Sequence, residues 1–248
     1  MSNHFQKHGF QFQLAQAEHD FAIAKLLNEN AIPGWIELSY KTTPRFHLSL
    51  HKNIFSSSVI GIHQTTNKIG GIATRSVYPS FLASKEANIG WLGQLRIDPE
   101  FRNRAHLLKS GFDAVKTFLH DRDKTPYYLA SIIAENKIAR RILEANLDGF
   151  PIFEPILNYH VKAFSTQQVW GSFSKHIRVG STSDMPRIIE FINSINKEFD
   201  FTPRLISKNG KDEISAGKFL GLSAEDFLIH LEDEQILGVV ALWDQQKY

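Results

Sequence analysis

Apolar positions along the chain follow two rhythms that take turns. Where they alternate with polar residues the segment predicts a strand, and where they recur every three to four residues it predicts a helix. Phe10 to Leu14 predicts a first strand, and His19 to Asn30 a helix with Phe21, Ile23, Ala24 and Leu27 near one face. Asn28, Asn30, Pro33 and Gly34 end that helix. Arg45 to Leu50, Ser57 to His63 and Lys68 to Ser76 then predict an antiparallel meander separated by Asn- and Ser-containing turns. Ile89 to Ile97 predicts a strand closed by Asp98 and Pro99. It leads into a helix over Arg102 to His120, whose stripe is Leu107, Leu108, Phe112, Val115, Phe118 and Leu119. Tyr127 to Ile133 predicts a short strand, and Asn136 to Ala145 a helix that Asn136 caps. Ile152 to Phe164 predicts a bulged or split edge strand, since Pro155 interrupts it. Alternation of the two periods, rather than clustering by type, predicts an α/β (α+β) fold.

The polar stretch Ser165 to Lys175 reads as a linker, after which the pattern begins again. His176 to Gly180 predicts a strand and Asp184 to Asn196 a helix with Pro186 near its start. Laying Phe12 over Ile177 brings Ile23 onto Ile188 and Asn28 onto Asn193. Likewise Ser58 to Ser76 and Asp226 to Asp244 both read as hairpins of two apolar strands around a polar turn. We therefore divide the chain into a unit over 1–164, a linker over 165–175, and over 176–248 the opening portion of a second, repeated unit.

Composition narrows the chemistry. The 248 residues contain no cysteine, which excludes a disulfide scaffold, a thiolate-held metal and a thiol nucleophile. The chain length allows one large domain or two small ones. No apolar run is long enough for a membrane span and the N-terminus is polar, so the expectation is a cytoplasmic protein with no membrane partner. Residues 1–170 hold 19 Lys+Arg against 14 Asp+Glu, whereas residues 171–248 hold 9 against 12, so positive charge gathers in the first unit. Basic residues are not interleaved with aromatics, which removes a single-stranded nucleic-acid platform. No H-E-x-x-H pair is present, and His47 and His51 at four-residue spacing do not by themselves make a metal site, so no metal is expected. A G-x-S-x-G elbow, a Walker loop and a Rossmann fingerprint are absent too.

The segment Leu92 to Leu119 (LGQLRIDPEFRNRAHLLKSGFDAVKTFL) resembles motif A of the GNAT superfamily of N-acetyltransferases. There a strand, a Pro-containing turn and a Q/R-x-x-G-x-G/A loop open a long helix. Amides at the helix front, at its positive dipole end, cradle the diphosphate of acetyl-CoA. The matching run is Arg102, Asn103, Arg104, Ala105, His106 and Leu107, with Ala105 at the first glycine and Leu107 at the second small position. By this resemblance the cofactor-binding residues are Leu95, Arg96, Ile97, Arg102, Asn103, Arg104, Ala105, His106, Leu107 and Asn136. The leucine is a departure, since it puts a branched side chain where the diphosphate passes in the family. Lys109, with the arginines at 96, 102 and 104, adds cationic donors for phosphate.

Tyr128 to Phe150 (YLASIIAENKIARRILEANLDGF) is similar to motif B of that family, matching in kind at Asn136, Ala139, Glu144 and the Gly149-Phe150 pair. The resemblance implies that the strands of the two motifs splay, that the pantetheine arm lies in the gap as if it were a strand, and that Asn136 bonds it. A plain helix cap is an equal reading of Asn136. Leu143 stands where many members carry the tyrosine that protonates the leaving thiolate, and leucine has no proton to give. Tyr159 and Tyr128 are the candidates for that acid, and Glu135, Gln94 and His63 the candidates for the base.

The resemblance thus implies a GNAT-like mixed, mostly antiparallel sheet with flanking helices, and a partial second unit lacking motif A. It also implies an acetyl-CoA-dependent N-acetyltransferase in which a primary amine, of a small molecule or peptide, attacks directly in a ternary complex. Ile32 to Thr43 and Ser76 to Asn88 would line the acceptor pocket. The rival reading is a noncatalytic acyl-CoA-binding or interaction module. Three expectations attach to the second unit: it packs against the first, it pairs with a second molecule as a homodimer, or the natural product is longer.

Overall fold

The computed structural model describes residues 4–31, 55–102, 104–119, 125, 127–160, 174–205 and 222–242. Six strands make the larger sheet: β1 (His4–Lys7), β2 (Phe10–Leu14), β3 (Phe55–His63), β4 (Lys68–Leu82), β5 (Lys85–Ile97) and β6 (Tyr128–Leu129), neighbours in that order. All pairs are antiparallel except β5 with β6. This is the mixed, mostly antiparallel sheet with flanking helices that the GNAT resemblance implied.

Pleating gives the sheet two apolar faces. Helix α1 (Asp20–Glu29) covers one with Ile23, Leu26 and Leu27, packed on Ile60, Ile69 and Ile72. Helix α2 (Ala105–Leu119) covers the other, where Leu107 and Ala114 meet Phe10, Phe12, Val59 and Phe101. Helix α3 (Lys137–Leu143) follows β6, and Asn136 caps it by accepting from the Ala139 amide at 3.1 Å.

A second sheet joins β7 (Ile177–Val179), β8 (Phe227–Glu232) and β9 (Gln235–Ala241), antiparallel throughout. Helix α4 (Met185–Asn196) lies on it through Met185, Ile188 and Ile189 against Phe227 and Ile229. In both sheets a strand leads through a 3₁₀ turn into a helix, then an antiparallel hairpin pairs back on that strand.

Several expectations need correction. Ser76 to Asn88 is not a variable connection: β4 and β5 run through it as a hairpin, paired from Ser76↔Trp91 out to Leu82↔Lys85. β1 was not foreseen, because its polar residues pair outward onto β2. The strand expected over Tyr127 to Ile133 keeps only Tyr128–Leu129. Residues 151–160 form no regular strand: Pro155 lacks a ladder donor, and Ile152, Ile156 and Leu157 stay exposed. The strand expected over Arg45 to Leu50, the acceptor segment Ile32 to Thr43 and most of the linker lie outside the described residues.

Candidate functional site

The site is built on an irregularity in β5. Thr74 pairs with Gly93 and Ile72 with Arg96, so Gln94 and Leu95 together oppose Ala73. That is a bulge, and Gln94 sits in the left-handed region at φ 53°, a conformation that costs a residue with a Cβ. On its outer side β5 pairs with β6 at Gly90↔Tyr128 and Trp91↔Leu129 alone. From Leu92 onward that edge has no strand partner among the described residues. The ladder between the two strands thus ends at Trp91, before the bulge.

Beyond the bulge the chain turns at Asp98, whose side chain accepts from the Glu100 amide at 3.0 Å and from Lys68 at 2.9 Å. The hydrogen bond from Lys68 to Asp98 raises the Lys68 pKa above its ordinary value. Helix α2 starts after this turn. Arg104 carbonyl accepts from the Leu107 amide at 2.9 Å and from the Leu108 amide at 3.5 Å. No acceptor among the described residues takes the amides of Ala105 and His106, the first of the helix. Arg104 and His106 are exposed beside them, Arg104 over the Phe101 ring and His106 against His8 with ring centroids 4.7 Å apart. Asn103 lies outside the described residues.

The side chain of Leu107 does not cross the front of the loop. It is buried on the sheet-facing side of α2 and lines one wall of an open crevice of about 40 Å³. Opposite walls are Phe12, Val59, Gly61 and the bulged stretch Leu95, Arg96 and Ile97, with Gly111 and Phe112 continuing the helix side. The lining is apolar apart from Arg96.

The arginines divide. Arg96 donates from Nε to the Asn30 carbonyl at 3.2 Å and from Nη1 to Leu95 carbonyl at 2.8 Å. Arg102 donates to Asn30 Oδ1 at 2.6 Å and to Ile97 carbonyl at 3.2 Å. Burial, and then the nearby charge of Arg102, lower the Arg96 pKa. Lys109 is drawn off toward Asp148 at 3.8 Å.

Of the acid and base candidates, Glu135 is exposed in the turn before Asn136, and Tyr159 is 62% exposed in the irregular segment. Neither lines the crevice, and Leu143 is buried. His63 packs beside Phe10 and Phe101 and bonds Thr66 at 2.9 Å, away from the bulge. Tyr128 lies at the parting of β5 and β6, and its hydroxyl accepts from the buried Arg75 guanidinium at 3.0 Å. The Asn30 contact with both arginines had no sequence signal, since 66 and 72 residues separate the partners. The bulge had one weak signal, a polar Gln94 in an apolar strand.

Among the described residues no group of three or more His, Asp or Glu is placed to hold a metal, and no helix is long and apolar enough to cross a membrane. No protein-family model matches the chain, and no curated protein matches it. Solved structures do resemble it. One is a ribosomal-protein-alanine N-acetyltransferase from Brucella melitensis biovar Abortus 2308, at 12% identity and a TM-score of 0.45, over 63% of this chain and 100% of that one. Another is an acetyltransferase from Trypanosoma brucei, at 13% identity and a TM-score of 0.41, over 61% and 99%. A third is AAC(6')-Iy in complex with a bisubstrate analogue of CoA and acetylneamine, at 17% identity and a TM-score of 0.43, over 63% and 100%. Likeness at this level carries no activity from those proteins to this one.

Proposed function

We propose that the first unit is an acetyl-CoA-dependent N-acetyltransferase, in which a primary amine attacks the thioester directly in a ternary complex. The observation that carries this reading is the edge of β5 beyond Trp91, which has no strand partner among the described residues, is bulged at Gln94 and lines one crevice with the first turn of α2. An extended arm laid on that edge would bond strand amides as a further strand does. Amides of Ala105 and His106, with the Arg104 guanidinium, would receive the diphosphate. Leu107 leaves their front clear because its side chain is spent in the core.

Bound acetyl-CoA supplies the activated acyl group. The chain's share is to hold the thioester carbonyl against an amide of the Leu95 to Ile97 stretch, aligned for attack, and to exclude water with the apolar crevice wall. Asn136 Oδ1 accepts from the helix, while its Nδ2 meets no acceptor among the described residues and would donate to the arm. Glu135 as base and Tyr159 as acid would make their contacts once substrates are in place. Isothermal titration with acetyl-CoA is the test: we expect heat at one site, followed by thiol release on adding an amine. Titration without heat overturns the reading.

The absence of a proton donor at Leu143 and along the crevice favours, as second reading, a noncatalytic acyl-CoA-binding module. Binding without turnover across an amine panel would select it.

A further inference from the structure

Helix α2 carries a glycine that its packing does not require. Gly111 lies in the interior of a 15-residue helix, where glycine is a poorer helix former than alanine. Close approach does not demand it, because a Cβ there would meet nothing within 4 Å apart from its own helix backbone. What it faces is the crevice between α2 and the sheet. The two glycines on the opposite wall are different. A Cβ on Gly61 would come 3.0 Å from the Phe12 ring, and one on Gly71 3.1 Å from the Arg96 carbonyl oxygen. Packing accounts for those two, whereas open room lies before Gly111.

The second sheet supplies an internal comparison. Its hairpin repeats the pairing of β3 with β4 down to the skipped residue: Gly61↔Gly71 is followed by Ile62↔Ile69, and His230↔Gly238 by Leu231↔Ile236. In this register Val240 stands where Ala73 does, since Leu228 pairs with the one and Val59 with the other. The hairpin with its bulge therefore admits a larger side chain at that place. Ala73 and Gly111, facing each other across the crevice, leave it open to about 40 Å³. Arg96 turns its guanidinium to Asn30 at the end of α1, on the other face of the sheet, so the space is apolar.

We propose that this crevice takes the acyl tail of the donor thioester, so that the protein transfers short unbranched acyl groups, propionyl and butyryl, in preference to acetyl. This rests on the acetyl-transfer reading and widens its donor. Leu95, Arg96 and Ile97 join the two: the stretch whose amides hold the thioester carbonyl in that reading is also a wall of the crevice. A carbonyl held there has its alkyl tail at the opening under α2. The transfer itself is unaltered. The amine nitrogen attacks the carbonyl carbon, the C–N bond forms as the C–S bond breaks, and the departing thiolate takes up the proton that the amine sheds. One water-sized group needs ~10–15 Å³ of such space, so roughly three carbon groups fit, the tail of a butyryl.

Isothermal titration of the full chain with CoA, acetyl-CoA, propionyl-CoA, butyryl-CoA and octanoyl-CoA tests the proposal. We expect affinity to rise about fourfold per methylene from acetyl to butyryl, as a CH₂ moves from water into apolar surroundings, and to rise no further at octanoyl. Gly111→Leu, which fills the crevice, should level the series while changing affinity for CoA itself less than twofold. Its melting temperature should hold or rise, because leucine is the better helix former. Gly111→Ala should fall between. In a thiol-release assay with one amine, kcat/KM should favour butyryl-CoA over acetyl-CoA by about tenfold, and Gly111→Leu should erase that preference. A flat series with CoA bound overturns this inference and leaves the acetyl-transfer reading standing. So does a rise that survives in Gly111→Leu, or a lowered melting temperature in that variant, which would show the space to be filled already. No heat with CoA or with any thioester overturns both.

Discussion

Asp184 accepts from Arg178 through both carboxylate oxygens, at 2.8 and 2.7 Å, and from the Ser181 hydroxyl at 2.6 Å and amide at 2.9 Å. Arg178 first, and Ser181 after it, hold the carboxyl well below its ordinary range. Because the folded value is the lower one, this stabilisation is complete above the unfolded carboxylate value of about 3.9 and drains away as pH falls toward the folded value. Asp184→Asn should therefore cost about 1–3 kcal/mol at pH 7, with the difference closing below about pH 4. Denaturant melts of both proteins across pH 2.5 to 7 would show it, and a constant difference would disprove it. The Ser181-x-x-Asp184 spacing is a capping pattern visible in sequence. The guanidinium that completes it arrives from the middle of β7, which spacing does not reveal.

Elements with a regular apolar stripe were legible: α1, α2 and the shared core of β2 to β5 lie close to where periodicity put them. What periodicity missed is where a tertiary contact replaces a local rule. Residues 78–88 look like a loop because Pro79, Lys85 and Glu86 interrupt the pattern, yet cross-strand pairing carries both strands through. Conversely, Ile152 to Phe164 reads as strand by composition, but over its described part no ladder partner is present to fix it. In the site, the strand-turn-helix and the Asn136 cap were legible, whereas Tyr159 was read as a strand residue and is exposed in irregular chain. The join of β5 to β6 shows how tightly an element contact is specified. A Cβ on Gly90 would lie 2.2 Å from Tyr128 Cδ1, so the ring lies directly across the glycine. Gly90→Ala should destabilise by about 1–3 kcal/mol through overpacking. Gly93→Ala, whose nearest atom would be Trp91 Cδ1 at 3.5 Å, should cost about 1 kcal/mol or less. Equal denaturation midpoints for the two variants would contradict this account.

At the scale of the molecule, the two sheets are joined by chain that leaves α4. Strand β3 ends opposite Val77, so β4 extends past it with one side uncovered by the larger sheet. Residues 200–204 occupy that side: the Phe81 amide donates to Thr202 carbonyl at 2.9 Å, Phe201 amide to Phe81 carbonyl at 2.8 Å, and Arg204 amide to Pro79 carbonyl at 2.9 Å. Asp200 Oδ1 accepts from the Ala83 amide at 2.6 Å, where the backbone turns with φ 49°. Residues 200–204 thus bond the β4 end of the β4–β5 hairpin. Amides of Phe81 and Phe201 should exchange with deuterium at similar, slowed rates, and Asp200→Ala should quicken both. Independent rates would show that the contact is not one cooperative patch. Detachment has a further consequence. It would lay bare hydrogen-bonding backbone flanked by Val77 and Phe81, an adhesive rim to which any other extended chain can stick. Variants that loosen the 200–204 clasp should accordingly clump with rising concentration well before they unfold, visible as light scattering below the melting temperature.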